Sequence, residues 1–208
     1  MLPTQPTRLT LLLIAALVAL GPLAIDMYLP AFPAIAQAFA SDVGAVQQTL
    51  TLYFIGFAVA QLIHGPLSDR YGRRPVLLVG LLLFIVSSIG VTFSHSIEGL
   101  GVWRVLQAVG GSAGPVLGRA MVRDLFPPQQ AARQMALIGS VIALAPAVAP
   151  ILGGYLTVWY GWVAIFWCLS GYALLVMIGF WRYLPETAPL SRRHPLRVRQ
   201  LVGRYLEL

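Results

Sequence analysis

Apolar residues in this sequence come in long uninterrupted blocks, and that pattern predicts membrane-spanning helices. A helix needs roughly 20 apolar residues to cross a hydrocarbon layer of about 30 Å, because each residue adds about 1.5 Å. The strict polar–apolar alternation of a membrane barrel does not occur within the blocks. Six blocks have a suitable length: about 9–30, 46–64, 75–94, 99–121, 133–157 and 161–183. The predicted fold class is therefore an all-α membrane protein, a six-helix bundle.

Composition supports a lipid environment and excludes other classes. The 208 residues are 58% hydrophobic and only 10% charged, whereas a soluble domain has about 25% charged residues. The net charge of +7 does not indicate nucleic-acid binding, because the arginines lie between apolar blocks and not on one exposed face. We find no phosphate-binding loop, no nucleophile with its base and no metal-ligand cluster. We therefore expect a lipid bilayer as partner, no metal and no enzymatic activity.

The distribution of arginine predicts the orientation. All 14 basic residues are arginine, and thirteen of them flank the blocks on one side. These are Arg8, Arg70, Arg73, Arg74, Arg119, Arg123, Arg133, Arg182, Arg192, Arg193, Arg197, Arg199 and Arg204. Loops rich in arginine stay in the cytoplasm by the positive-inside rule. We therefore expect both termini to be cytoplasmic and the protein to reside in the plasma membrane.

The chain divides into a six-span unit, 1–184, and a cytoplasmic linker, 185–208. Prolines prevent a helix in the first half of the linker, but apolar residues then recur with helical spacing. They are Val198, Leu201, Val202, Tyr205 and Leu206. Together with three arginines, they predict a basic amphipathic helix on the inner membrane surface. A binding site for a partner protein is the alternative.

The segment between the second and third blocks carries a motif. It reads GPLSDRYGRRP from Gly65 to Pro75 and resembles the signature loop G-x-L-x-D-x-x-G-R-[RK] of the major facilitator superfamily. Glycines allow a tight turn and close helix approach, and an aspartate accepts hydrogen bonds from arginines or a helix N-terminus. The resemblance implies a gating loop that latches two transporter halves together. Its residues are Gly65, Asp69, Arg70, Gly72, Arg73 and Arg74. The alternative is that the arginines only set topology.

The fourth block contains an arginine, Arg104. It begins the stretch RVLQAVGG, which resembles the superfamily's R-x-x-Q-G-x-G element with Ala108 in place of a glycine. Burying arginine in a span costs about 2.5–3.5 kcal/mol, so it needs a partner or a water-filled cavity. Asp26 lies at a similar depth in the first block, and we expect it to pair with Arg104. We hypothesise that both residues, with Gln107, face a central cavity and couple proton movement to substrate binding. A purely structural ion pair is the alternative.

Small residues and prolines mark the fourth and fifth blocks. Glycines at four-residue spacing predict close helix packing in lipid. They are Gly110, Gly114 and Gly118. The fifth block reads APAVAPILGG from Ala145 to Gly154 and resembles the antiporter element G-x-x-x-G-P-x-x-G-G, with Ala145 and Ala149 replacing two glycines. Its helix-bending residues are Pro146, Pro150, Gly153 and Gly154. Bending without any role in antiport is the alternative.

Shorter stretches narrow the resemblance. DMYLP ends the first block, RAMVRD follows the fourth, and LPET follows the sixth. With the signature loop, they are similar to the Bcr/CflA drug-resistance subfamily of proton-coupled antiporters in the bacterial inner membrane. The resemblance implies the N-terminal half of a major facilitator fold, in which each half is an inverted pair of three-helix repeats.

The activity implied by this resemblance is secondary active transport. We expect proton-driven efflux of a drug-like small molecule by alternating access, with no cofactor other than the proton gradient. Tyr28 is a plausible cavity contact, but nothing selects a substrate. The expected partner is a second six-span half, from a longer gene product or from another chain. The alternatives are a nutrient or metabolite symporter of the same superfamily and a truncated, non-transporting fragment.

Overall fold

The structure, a computed structural model, describes residues 8–187. Within that range the regular structure is entirely helical, as the apolar blocks predict. The long helices are α1 (Arg8–Asp26), α3 (Val43–Tyr71), α4 (Arg73–Thr92), α5 (Ile97–Leu125), α6 (Pro128–Tyr160) and α7 (Val163–Tyr183). A 3₁₀ turn, Leu29–Ala31, and the short α2, Phe32–Ala38, join α1 to α3. The predicted amphipathic helix of the linker lies outside the described residues.

Five of the six predicted spans are long and apolar enough to cross a membrane, and α5 is the exception within residues 8–187. This helix carries Glu98, Arg104 and several glycines, so its composition is less apolar. Its position explains why this is tolerated. Fifteen of its residues are buried, more than in any other described helix. Helix α5 is thus the central helix of the bundle and is surrounded mainly by protein, where side-chain fit matters more than lipid solubility.

The helices pack with an internal two-fold relation. Helix α3 packs on α5 as α6 packs on α1, and α4 packs on α5 as α7 packs on α1. Helices α4 and α7 also contact each other. Exchanging α1, α3 and α4 with α5, α6 and α7 therefore preserves most of the pattern of contacts, the exception being that α5 packs on α6 more closely than α1 packs on α3. Two three-helix repeats related in this way confirm the predicted 3+3 architecture.

The junction between α3 and α4 differs from the prediction. The hydropathy pattern ends the second span at 64 and begins the third at 75, but α3 continues to Tyr71 and only Gly72 separates the helices. Gly72 has a φ of 102°, a conformation that residues with a Cβ rarely adopt. The helix continues through polar residues that lie beyond the apolar block. Hydropathy therefore marks the end of the apolar block and not the end of the helix. The signature segment is mostly helix with a one-residue turn.

Glycines of α5 lie where neighbouring helices come closest. A Cβ added at Gly110 would stand 2.5 Å from the carbonyl oxygen of Gly80 in α4. At Gly114 it would stand 2.8 Å from the carbonyl oxygen of Leu17 in α1, and at Gly118 it would meet another side chain of α1. These glycines therefore let α5 approach two backbones at once, which positions Arg104 about two turns before Gly110.

Candidate functional site

Arg104 lies inside the described bundle, in the first third of α5. Its side chain is fully buried, and its guanidinium lies between two tyrosine rings. The Cζ atom is 4.3 Å from the ring centroid of Tyr28 and 4.2 Å from that of Tyr53. The ring of Phe166, from α7, is 5.9 Å away. These three rings, here called the aromatic cage, surround the charge with side chains from three separate parts of the chain.

A chain of hydrogen bonds fixes one edge of the guanidinium. Nη1 of Arg104 donates to the carbonyl oxygen of Ala24 at 3.2 Å and to Oε1 of Gln107 at 2.5 Å. Nε2 of Gln107 donates to Oγ of Ser88 at 2.7 Å, and this hydroxyl donates to the carbonyl oxygen of Phe84 at 2.6 Å. The chain joins α1, α5 and α4 through neutral groups. Gln107 is thus a direct hydrogen-bond partner of Arg104.

The remaining donors of Arg104 are unsatisfied. Nε and Nη2 are buried and have no hydrogen-bond partner among the described residues, and the same is true of the Tyr53 hydroxyl. No carboxylate oxygen of Asp26 lies within 4.0 Å of the guanidinium, so the predicted Asp26–Arg104 ion pair is not formed in this conformation. A full charge is therefore held inside the bundle by two neutral oxygens and three ring faces.

Helix geometry explains why the predicted pair is absent. Ala24 and Tyr28 both contact Arg104, and residues four apart lie on one face of a helix. Tyr28 keeps helical torsion angles, with φ −76° and ψ −31°. Asp26 lies halfway between them in sequence and so points away from that face, where it is only partly buried. Sequence reasoning matched the depth of the two charges but not their direction around the helix.

We expected Tyr28, Arg104 and Gln107 to face a cavity, but all three are fully buried within the described bundle. The hydroxyl of Tyr28 is 2.7 Å from Oγ1 of Thr49. Thr49 donates its single hydroxyl proton to the carbonyl oxygen of Val46, so Tyr28 is the donor in the first bond. The hydroxyl is anchored on α3, which leaves the ring face for Arg104.

Thr49 also lines an open cleft between the first turns of α3 and α5. The cleft has a volume of 490 Å³, and its walls are mostly apolar. Gln48 and Glu98 supply polar groups at its rim. The cleft therefore ends one hydroxyl away from the aromatic cage, on the side of the bundle opposite the α3–α4 junction.

The signature segment forms a second polar site at that junction. Nη1 of Arg73 donates to Oδ1 of Asp69 and to Oγ of Ser68, both at 2.5 Å. Nε of Arg73 donates to Oδ2 of Asp124, at the end of α5, at 3.2 Å. The carboxylate of Glu186 accepts from the backbone nitrogen of Arg73 at 2.8 Å. Ser68, Asp69, Arg73, Asp124 and Glu186 are here called the junction cluster.

Other residues of the segment have different surroundings. The backbone nitrogen of Arg74 donates to the second oxygen of Glu186 at 3.2 Å, and its Nη2 donates to the carbonyl oxygen of Trp181 at 2.5 Å. Arg70 lies over the ring of Tyr71, with 5.1 Å between Cζ and the ring centroid. A Cβ at Gly65 would meet nothing within 4 Å. Gly65 therefore does not serve close helix approach within the described bundle, and only Gly72 carries the turn.

The antiporter-like element lies in an unbroken helix. Helix α6 runs through both Pro146 and Pro150 without interruption. Gly153 contacts the backbone of Met27, where α1 gives way to the 3₁₀ turn, and a Cβ at Gly154 would stand 3.8 Å from the side chain of Pro30. The element therefore packs directly against the residue that follows Asp26. No group of three potential metal ligands occurs among residues 8–187.

Comparison with known proteins identifies the family. The sequence profile of the Major Facilitator Superfamily matches residues 12–203. The chain belongs to the major facilitator superfamily. It is a multi-pass membrane protein of a transporter family, not an enzyme.

Its relatives include named resistance proteins. A chloramphenicol resistance protein of Pseudomonas aeruginosa is 41% identical over 86% of this chain and 43% of that protein. A bicyclomycin resistance protein homolog of Haemophilus influenzae is 36% identical over 98% of this chain and 51% of that protein. Multidrug resistance protein D of Escherichia coli is 34% identical over 87% of this chain and 46% of that protein. The chain spans about half the length of these relatives.

A solved structure agrees on the fold. The crystal structure of the human organic anion transporter MFSD10 (TETRAN) superposes with a TM-score of 0.76 at 23% identity. The match covers 96% of this chain and 53% of that transporter. The six-helix bundle is therefore one half of a major facilitator fold, as the motifs predict.

Proposed function

We propose that this chain is the N-terminal half of a Bcr/CflA-type antiporter that exports drug-like small molecules in exchange for protons. Support comes from the relatives named for resistance to chloramphenicol, to bicyclomycin and to multiple drugs. The apolar helices and the bacterial relatives fit a place in the inner membrane. The arginine distribution favours cytoplasmic termini. A proton gradient supplies the energy, and no other cofactor is required.

The observation that carries the proton-coupling part is the unpaired charge of Arg104 beside Asp26. Asp26 is flanked by residues 24 and 28, which both contact the arginine. In our proposal, the carboxylate binds a proton in one state of the cycle. In the other state it is ionised, and a rearrangement of the chain where α1 gives way to the 3₁₀ turn brings it round to pair with Arg104. Such a switch requires an arginine that is not already neutralised by another carboxylate.

The second half of the transporter is part of the proposal. We compared the most apolar 18-residue stretch of each spanning helix. In α3 and α6, only 22% and 17% of these residues are buried inside the described bundle, against 44% in α1, α4 and α7. In the two-fold arrangement, α3 and α6 are equivalent helices, so they present equivalent faces. A second six-helix half packed along these faces would enclose a substrate cavity between the halves. Alternating access would then follow from rocking of one half against the other.

Transport measurements in everted membrane vesicles test this function. Vesicles are prepared from cells that express the complete gene and are energised with a proton gradient. We expect uphill uptake of radiolabelled chloramphenicol or ethidium that collapses when the gradient is dissipated. Asp26→Asn and Arg104→Ala should each abolish the uphill uptake. Glu98→Gln, which removes an exposed carboxylate near the same end of the bundle, is the matched control and should retain it.

The direction of transport separates antiport from symport. Everted vesicles with an acidic interior take up a substrate that is exchanged for protons. Substrate that moves out of the vesicles together with protons indicates a symporter. If Asp26→Asn and Arg104→Ala both fold and transport like the unmodified protein, the coupling role of these residues is refuted.

A further inference from the structure

The aromatic cage interacts with the part of the Arg104 charge that hydrogen bonds do not stabilise. A guanidinium has five N–H donors, yet only Nη1 has acceptors in the described structure, while Nε and Nη2 have none. An unpaired charge buried in a span is expensive. The remaining favourable interaction is with the negative faces of aromatic rings, which attract cations most strongly where water is excluded.

The two tyrosine rings are held firmly in position. The hydroxyl of Tyr28 is bonded to Thr49, and its ring meets Phe166 edge-on at 5.9 Å between centroids. Tyr53 stacks on Phe57 with 5.9 Å between centroids and 21° between planes. Both tyrosines are fully buried. Packing against Phe166 and Phe57 therefore holds the two ring faces beside Arg104.

The hydroxyl and the ring of Tyr53 have different surroundings. The hydroxyl is buried without a hydrogen-bond partner in the described residues, which is unfavourable for a polar group. Its ring, however, is the closest of the three to Arg104, at 4.2 Å. The favourable contact of this residue with the arginine is thus made by the ring face. Leucine at this position would remove the ring face and leave a cavity, whereas phenylalanine would keep the ring face and nearly the same volume.

We propose that Tyr28 and Tyr53 are positioning residues that replace a counter-ion for Arg104. Their ring faces stabilise the guanidinium without neutralising it, and they hold it on the side of α1 away from Asp26. The arginine is thereby kept charged, buried and available for the carboxylate later in the cycle. This inference rests on the proposed function, because the cage matters to transport only if the arginine takes part in coupling.

A pair of substitutions at one position tests the role in transport. Tyr53→Phe keeps the ring and removes only the unpartnered hydroxyl, whereas Tyr53→Leu removes the ring. In everted vesicles from the complete gene, we expect Tyr53→Leu to lose uphill uptake of chloramphenicol or ethidium. It should keep downhill exchange of the same compound, and Tyr53→Phe should restore uphill uptake. Equal loss of uphill and downhill transport in Tyr53→Leu would mean that the ring supports folding alone and would overturn the proposal. Unchanged uphill uptake in that variant would do the same.

A double-mutant cycle tests the cage without relying on transport. Thermal unfolding in detergent is compared for Tyr53→Leu in the presence of Arg104 and in the presence of Arg104→Met, which has similar length but no charge. If the ring stabilises the charge, the loss of melting temperature caused by Tyr53→Leu should be larger by about 4 °C or more when Arg104 is present. Equal losses in the two backgrounds would refute the proposal.

Failure of this inference and failure of the proposed function give different results. If Asp26→Asn and Arg104→Ala abolish uphill uptake but Tyr53→Leu does not, the coupling site stands and the cage does not. If the thermal cycle shows coupling between Tyr53 and Arg104 while Arg104→Ala transports normally, the cage exists. The arginine then has a structural role only, and both the coupling function and the transport role of the cage are refuted.

Discussion

Arg104 in the aromatic cage and Arg73 in the junction cluster are both withdrawn from solvent, yet only Arg73 has carboxylate partners. Arg104 is fully buried and is held by ring faces and by neutral oxygens. The side chain of Arg73 is 14% exposed and joins Asp69 and Asp124. The family's two arginine motifs therefore hold their charge in opposite ways within the same half.

The difference in partners limits how each site can act. A paired arginine has little to gain from a new carboxylate, so the junction cluster holds the ends of α3, α4, α5 and the segment after α7 together. An unpaired buried arginine is a state of higher free energy that a mobile carboxylate can relieve. Within the described half, we therefore propose that Arg73 supports the fold and that Arg104 takes part in coupling.

The largest expected effect comes from removing the charge of Arg104. In Arg104→Met, uphill uptake should fall to the level of vesicles without the protein, because Asp26 has no arginine to pair with. The melting temperature in detergent should stay the same or rise, since a buried charge is replaced by an apolar side chain of similar length. A large loss of stability with retained transport would reverse the roles assigned here.

Removing the charge of Arg73 should have the opposite profile. Arg73→Met leaves Asp124, which is 11% exposed, without its partner, and it also frees Asp69 and Ser68. We expect a loss of about 2–3 kcal/mol of unfolding free energy, since breaking a largely buried pair exposes the desolvation cost of the remaining group. Thermal unfolding of matched detergent samples measures this loss. A variant as stable as the unmodified protein would show that the cluster does not support the fold.

Removing the charge of Glu186 should reduce stability by less. The Glu186 carboxylate accepts from the first two backbone nitrogens of α4, where a negative charge is favoured by the helix dipole. Glu186→Gln should cost about 1 kcal/mol, as is typical for loss of a helix-capping interaction. Glu98→Gln is the matched control, because it neutralises an exposed carboxylate in the first turn of α5. Equal effects of the two substitutions would rule out a specific capping role.

The smallest expected effect distinguishes Asp69 from Asp124, the two carboxylates that form salt bridges with Arg73. Asp69 is 55% exposed whereas Asp124 is 11% exposed, so water and salt screen the first pair far more. Asp69→Asn should cost less than about 0.5–1 kcal/mol, and added salt should reduce that cost further. Asp124→Asn should cost more and should respond less to salt. The reverse order in thermal unfolding would contradict the burial argument.

The spans and the packing glycines of this half were predictable from the sequence. A helix in lipid needs a certain length and hydropathy, and both can be read from a continuous stretch of residues. Helix ends were less predictable. The end of α3 depends on Gly72 and not on the last apolar residue, so a boundary drawn from hydropathy came seven residues too early. Bundle architecture followed from the motifs and is confirmed by the packing of the two three-helix repeats.

The partners of the two arginines were not predictable in the same way. Sequence reasoning placed Arg104 inside a span but paired it with Asp26, because depth can be counted along a helix while direction depends on packing. Tyr53 gave no local signal, since an aromatic residue in an apolar block is ordinary. Asp69 is a local partner of Arg73, but Asp124 and Glu186 lie 51 and 113 residues away along the chain, so only the folded bundle brings these two to it.

The most direct test of the central claim is proton movement caused by substrate. Proteoliposomes that contain the complete gene product and a pH-sensitive dye inside are given a substrate gradient and no imposed proton gradient. We expect substrate movement to drive a pH change for the unmodified protein, and we expect Asp26→Asn and Arg104→Met to carry out substrate exchange without a pH change. A pH change of the same size in all three proteins would contradict the claim that Asp26 and the caged Arg104 couple protons to transport.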